Sequence, residues 1–218
     1  MERKYGVTQA IREFVAERPY SDAFTVDDVM RATDHAYPRA SVRATLHAEV
    51  GRSDLKQYDS GIWYKAGIIP SLGIEDAPNL VPLIDSLWMT NDHGVRIGYE
   101  TGAYLANRWN LSTQIPNKMD VVTQRPNRKP EIARQLGVRL RAPVTDITAA
   151  NWRNLQVLDM LDSGVNLDND RDGRRLAAIM SGEEFSYVEL MSLAFLFYPK
   201  RVQNLVVQLS ERIVDVSA

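Results

Sequence analysis

The chain has 218 residues, 44% hydrophobic and 25% charged, with 26 Lys and Arg against 28 Asp and Glu. That length accommodates one domain or two small ones with real cores, and the composition is globular rather than disordered or fibrous. Zero cysteines exclude disulfides, thiolate catalysis and Cys-type zinc sites, and a net charge of −2 argues against a protein that simply coats nucleic acid.

Met1-Glu2-Arg3-Lys4-Tyr5 has no apolar run behind it, so no signal peptide is expected. The most apolar stretch, 190–198, is too short to span a bilayer. A cytoplasmic protein without membrane contact is the expectation. The first 66 residues predict a winged helix-turn-helix. A short helix precedes Phe24. Thr25, with Asp28 three residues on, reads as a capping box that starts the next helix, with Val26, Val29 and Met30 on its buried side. A break follows at 33–38. Pro38 then opens a helix through Val50, and Gly51 closes it as a C′ residue.

On that helix Val42, Leu46 and Val50 recur every four residues and should face the core. The other side carries Ala40, Ser41, Ala44, His47 and Ala48, flanked by Arg39 and Arg43. Small side chains permit close approach to base edges, and arginines near a helix start can pair with guanine or phosphate. Residues 55–65 read as a hairpin turning at Asp59-Ser60-Gly61, with Lys56 and Lys65 flanking its tip and Trp63 packed beneath. The predicted DNA contacts are Arg39, Ser41, Arg43, His47, Lys56 and Lys65. Lys+Arg and Asp+Glu cancel over 1–70, so a monomer would bind weakly, and either a homodimer on the DNA or two operator half-sites is expected. Helix-turn-helix folds also serve as protein-interaction modules, and that alternative stays open.

Residues 66–73, with two glycines and a proline, read as a linker, dividing the chain into 1–66 and 67–218. Beyond it the pattern predicts a helix over 81–90 and a strand over 95–99. A second helix follows over 101–110, with Thr101 as candidate N-cap, then a loop over 114–118 and a strand over 119–124. Arg125-Pro126-Asn127-Arg128-Lys129-Pro130 is a proline-framed basic turn. Its Arg125, Arg128 and Lys129 form a possible second basic patch, suited to a nucleic-acid backbone or an acidic partner. A strand over 138–141 and helices over 148–161, 171–180, 187–197 and 200–213 complete the chain. The fold class is therefore α+β: a winged helix-turn-helix, then a mixed α/β domain ending in a helical bundle.

No catalytic motif is found. His35, His47 and His93 have no metal spacing, and Asp92-His93 reads as a polar helix stop. Gly98 and Gly102 lie in neither a phosphate loop nor a dinucleotide fingerprint. Asp162, Asp168, Asp170 and Asp172 lack the terminal glutamate of a calcium loop. No catalytic residue, metal or cofactor is expected. An enzyme acting on nucleotides ranks last, because Gly98 and Gly102 with Asp120 are a poor substitute for a carboxylate pair.

Gly102-Ala103, Leu105, Asn107 and Leu111-Ser112-Thr113-Gln114-Ile115-Pro116 match a stretch of the form G-A-x-x-L-N-x-L-G-L-S-T-Q-V-P. This resembles the AbiEi-type antitoxins of abortive-infection (type IV toxin–antitoxin) systems and their short relatives. Gly61-Ile62-Trp63-Tyr64 is similar to that family's G-x-Y-Y wing end, and Tyr198-Pro199-Lys200-Arg201-Val202 to its Y-P-x-x-V step. Asn110 stands where the family often has glycine, and the C-terminal region is shorter than in the long members. The resemblance implies a promoter-binding winged helix that represses its own operon. It also implies a C-terminal domain that counteracts a nucleotidyltransferase-like toxin, and no catalytic residues. From the residues alone, 102–116 is a core-packing helix whose Ser112, Thr113 and Gln114 satisfy backbone groups in the turn beyond it.

Overall fold

A computed structural model describes residues 6–69, 71–91, 93–165, 170–181 and 185–216. The protein is α+β: N-terminal helices with a small antiparallel sheet, then a mixed sheet, then C-terminal helices. It divides into two compact units, Met1–Ile84 and Asp85–Ala218.

In the first unit α1 (Val7–Glu17), α2 (Val26–Ala32) and α3 (Arg39–Glu49) pack on a sheet of β1 (Ala23–Thr25), β2 (Leu55–Asp59) and β3 (Ile62–Lys65), in the order β1-β3-β2. β1 is a strand that the sequence reading did not anticipate. It is three residues long and pairs antiparallel with β3, Phe24 opposite Trp63, so neither periodicity nor a local turn announces it. Where β1 ends, Thr25 starts α2. Its backbone N–H and its hydroxyl both donate to Asp28 Oδ2, at 2.6 and 2.8 Å, so aspartate fills the place that glutamate or glutamine usually takes. α3 begins at Arg39 with Pro38 as its N-cap, and Gly51 beyond its end has φ +79°. Ile11, Val15, Phe24, Val26, Val29, Val42, Leu46, Leu55 and Trp63 form one buried cluster. Full burial of Val42 and Leu46 stabilises α3 on the sheet by about 1.5–3 kcal/mol each.

Instead of a plain linker, 66–73 enters a second hairpin, in which β4 (Ile68–Ile69) pairs antiparallel with β5 (Ile74–Glu75). Pro70, within that stretch, lies outside the described residues. α4 (Val81–Ile84) ends the first unit.

The second unit opens with a π-helical turn over Asp85–Met89, where the sequence suggested plain helix. β6 (Gly98–Thr101) then leads into α5 (Gly102–Arg108), β7 (Met119–Thr123), α6 (Pro130–Gln135) and β8 (Val138–Arg141). The sheet order is β6-β7-β8, with β6·β7 antiparallel and β7·β8 parallel across α6. β6 begins three residues later than the expected 95–99 strand. Thr101 precedes α5, but its side chain does not cap it; the hydroxyl donates to the Gln156 carbonyl at 3.0 Å. Asn110 has φ +55°, a left-handed conformation that asparagine tolerates better than most non-glycine residues.

Helices α7 (Trp152–Asp162), α8 (Asp170–Met180), α9 (Tyr187–Phe197) and α10 (Lys200–Val216) complete the second unit. Leu155, Leu158, Leu176, Leu190, Ala194, Val202 and Val206 pack with Tyr99 and Val122 of the sheet in one core. No helix among the described residues is long and apolar enough to cross a membrane.

Candidate nucleic-acid interface

α3 is two-faced in the way its sequence suggests. Val42 and Leu46 are fully buried, while Ala40, Ser41, Arg43, Ala44, His47 and Ala48 are exposed. Ser41, Arg43 and His47 thus share an open face whose other members are alanines. A side chain no longer than alanine keeps such a face close enough for polar neighbours to reach base edges. His47 is held sideways: its ring lies edge-on to Trp63, 5.3 Å between centroids, and Trp63 itself is completely buried.

The cations fare unequally. Arg39, at the first turn of α3, is 61% exposed but ion-paired with Asp27 of α2. Arg43 makes no ion pair among the described residues. Lys56 pairs with Glu75 of β5, and this contact raises the lysine pKa, chiefly through the hydrogen bond to Glu75. The β2–β3 register sets Leu55 opposite Lys65 and Asp59 opposite Ile62. Lys56 and Lys65 therefore stand at the open end of the hairpin and do not flank its tip. Lys65 Nζ donates to the Ala16 and Arg18 carbonyls, at 2.9 and 3.1 Å, and lies 4.4 Å from the Tyr20 ring centroid. It satisfies carbonyls that the end of α1 leaves open. The sequence reading placed both lysines by their distance from the turn. Their engagement depends on residues 19 and 49 positions away, which a local pattern does not carry.

Arg12 of α1 makes two bonds to Glu49 at the end of α3, Nε to Oε2 at 2.8 Å and Nη2 to Oε1 at 3.2 Å. That bonding holds the Glu49 carboxyl below its usual range. It also fixes the far end of α3 against α1. A cleft of about 220 Å³ lies beside this pair, lined by Ile11, Val15, Tyr20 and Leu55 among others.

No protein-family model matches this chain, and no curated protein matches it.

The second unit carries a different kind of polar chemistry. Tyr99 Oη donates to Asp159 Oδ2 at 2.7 Å and Tyr198 Oη donates to Asp159 Oδ1 at 2.9 Å. All three side chains are buried. Burial raises the Asp159 pKa, although both phenols stabilise its ionised form. Burial and the neighbouring carboxylate also push both tyrosines far above the ordinary phenol range. Sequence reasoning missed this group. Tyr198 was noticed only as part of a motif, and Asp159 lies 60 residues from Tyr99.

Glu100 and Asp120, the acids beside the two glycines, do not converge. The register pairs Thr101 with Asp120 and Glu100 with Val121, so strand alternation turns the two carboxylates to opposite faces. Each is committed to an arginine: Glu100 to Arg108, and Asp120 to both Nε and Nη2 of Arg139. The 102–116 motif borders a recess of about 690 Å³ lined by Asn107, Asn110, Ser112, Thr113, Gln114, Arg171 and others. Ser112 Oγ accepts from the Gln114 N–H and the Ser112 carbonyl accepts from Asn107 Nδ2, at 3.1 and 3.2 Å. Among the described residues no three His, Asp or Glu side chains gather as a metal site needs. Asp92, Asp168 and the Asp170 side chain lie outside the described residues.

The basic turn is well ordered by its own bonds. The Trp88 indole N–H donates to the Arg128 carbonyl at 2.8 Å, the Arg128 N–H to the Arg125 carbonyl at 3.0 Å, and the Arg125 N–H to Thr123 Oγ1 at 3.1 Å. Lys129 takes a left-handed conformation (φ +49°) that lets Pro130 start α6. Arg125, Arg128 and Lys129 are half-exposed on this turn, and Arg128 Nη1 is buried.

Proposed function

We propose that this chain is a DNA-binding transcriptional repressor of the AbiEi antitoxin kind, whose first unit is a winged helix-turn-helix reading its own promoter. The open face of α3 carries the proposal. Ser41, Arg43 and His47 stand there among alanines, with Arg39 at the helix start, while the opposite face is locked in the core. The order α1-β1-α2-α3-β2-β3 supports it, because a winged helix requires three helices and a hairpin whose second strand pairs with a strand between the first two helices. Arg43, Ser41 and His47 contact bases or phosphates in the major groove. Arg39 exchanges Asp27 for a phosphate, and Lys56 makes a flanking contact. Lys65 holds α1 instead. The protein works in the cytoplasm, binds as a homodimer on paired half-sites, and uses its second unit to counteract a nucleotidyltransferase-like toxin. It has no enzymatic activity; the separation of Glu100 from Asp120 supports that part of the reading.

The pairing of Arg39 with Asp27 favours a second reading, in which the same unit binds a protein and not DNA. Fluorescence anisotropy with the chain's own upstream region and a scrambled duplex, at two salt concentrations, separates the two. A repressor binds the native duplex more tightly and loses affinity as salt rises. Equal, weak binding to both duplexes would establish the protein-binding reading.

A further inference from the structure

Among the described residues of the first unit, Arg43 and Arg52 are exposed and make no ion pair, while its other cations are engaged. Arg12, Arg31, Arg39 and Lys56 are each paired with a carboxylate, and Lys65 is bonded to backbone carbonyls. Arg18 lies over the Phe14 and Phe24 rings. Duplex affinity comes largely from neutralised phosphates, and a paired cation must give up its carboxylate before it takes a phosphate, so unpaired cations elsewhere in the chain would add to the binding.

Residues 118–141 hold seven Lys and Arg against two acidic residues, in a chain whose net charge is −2. One of the two acids, Asp120, is buried and bonded to Arg139. Between the basic turn, α6 and the edge strand β8 lies a cleft of about 290 Å³, lined by Lys118, Arg134 and Arg139 with Pro126, Pro130 and Val138. Lys118, Arg134 and Arg139 are exposed, and neither Lys118 nor Arg134 makes an ion pair among the described residues. The Trp88 indole and the turn's own bonds hold the backbone of the basic turn beside it.

We propose that this cleft of the second unit is a phosphate-backbone site for duplex DNA. Lys118 and Arg134 are its principal ligands. This rests on the reading of the first unit as a DNA reader and assigns the second unit a part in the same binding: α3 selects sequence, and the cleft supplies sequence-independent attraction. Arg139 stays paired with Asp120 and adds no net charge to the cleft.

The test uses the full chain and compares wild type, Lys118→Gln plus Arg134→Gln, and Arg43→Ala. Binding to the native and scrambled duplexes is followed from about 50 to about 200 mM salt. Each phosphate contact adds roughly 0.9 to the slope of log affinity against log salt. The double variant should therefore weaken both duplexes alike and flatten the slope by about 2. The affinity lost across that salt range then shrinks roughly tenfold. Arg43→Ala should instead abolish the preference for the native duplex. An unchanged slope in a double variant that melts like wild type overturns the cleft. So does failure of wild type to bind either duplex at low salt. So does displacement of the duplex by poly-glutamate as efficiently as by a second duplex, which would assign the cleft to an acidic protein segment. If wild type binds both duplexes equally, the α3 reading fails, and the slope on the scrambled duplex still decides the cleft.

Discussion

At the scale of single residues, the most constrained polar group is Asp159. Its two oxygens each accept one phenol in a buried site, so deleting either hydroxyl leaves a lone pair unsatisfied where water has little access. Tyr198→Phe is expected to destabilise the second unit by about 1–3 kcal/mol, read as a lower urea midpoint. Gly98 is constrained by backbone. A Cβ there would lie 2.3 Å from the Trp88 carbonyl oxygen and 2.8 Å from that of Val122. Neither can yield without moving the π-helical turn or β7. Gly98→Ala should cost more than about 3 kcal/mol, at the upper end for a point substitution, and appear in thermal melts as early loss of the second unit. On α3 the equivalent test is functional: Arg39→Ala plus Arg43→Ala should leave the melt nearly unchanged and remove preference for the native promoter. Unchanged promoter binding would falsify the assignment of α3 as the reader.

At the scale of elements, Lys65 shows how one side chain serves a helix it does not belong to. By donating to the Ala16 and Arg18 carbonyls it closes α1 from β3. Lys65→Met keeps the apolar stem but loses both bonds, at about 1 kcal/mol of the first unit's stability. Because that charge is already used, the salt dependence of DNA binding should not change. Hydrogen exchange of the last turn of α1, together with anisotropy, checks both halves. The same element shows what was legible. The faces of α3, the hairpin turn at Ser60-Gly61 and the C-terminal helices all follow from local periodicity or turn chemistry, and the structure has them. β1 and α6 were not legible, because three residues and six residues carry too little pattern. The roles of Lys56 and Lys65 were hidden for another reason: a cation's partner is a fact of tertiary packing. The cleft at β8 was only partly visible: the basic turn contributes Pro126 and Pro130 to its wall, while Lys118, Arg134 and Arg139 come together there only through the fold.

At the scale of the whole molecule, the two units should answer pH in opposite senses. Glu49 is held below its ordinary range, first by its bond to Arg12. Its contribution to the first unit is present above its unfolded pKa of about 4.3 and is lost as pH falls through the lower folded value. Asp159 and Glu100 are raised, first by burial. Their contributions are fully present below about pH 4 and are lost as pH rises through the raised folded values. Acidification from neutrality should therefore first strengthen the second unit and only below about pH 4.3 weaken the first. Trp63 is the tryptophan of the first unit, while Trp88, Trp109 and Trp152 belong to the second. A variant retaining only Trp63 reports the first unit by fluorescence, and its complement reports the second. Parallel shifts of both units would contradict the assignment of these carboxyls.

The clasp around Asp159 also gives the molecule an optical label of its own. The chain has nine tyrosines, and ionised phenol absorbs where neutral phenol does not. In a rapid alkaline jump, a phenol open to solvent exchanges its proton within the mixing time. Tyr99 and Tyr198 must wait for their core to open. The slow part of the absorbance rise is then the opening rate of the second unit, read without a dye or an added chromophore.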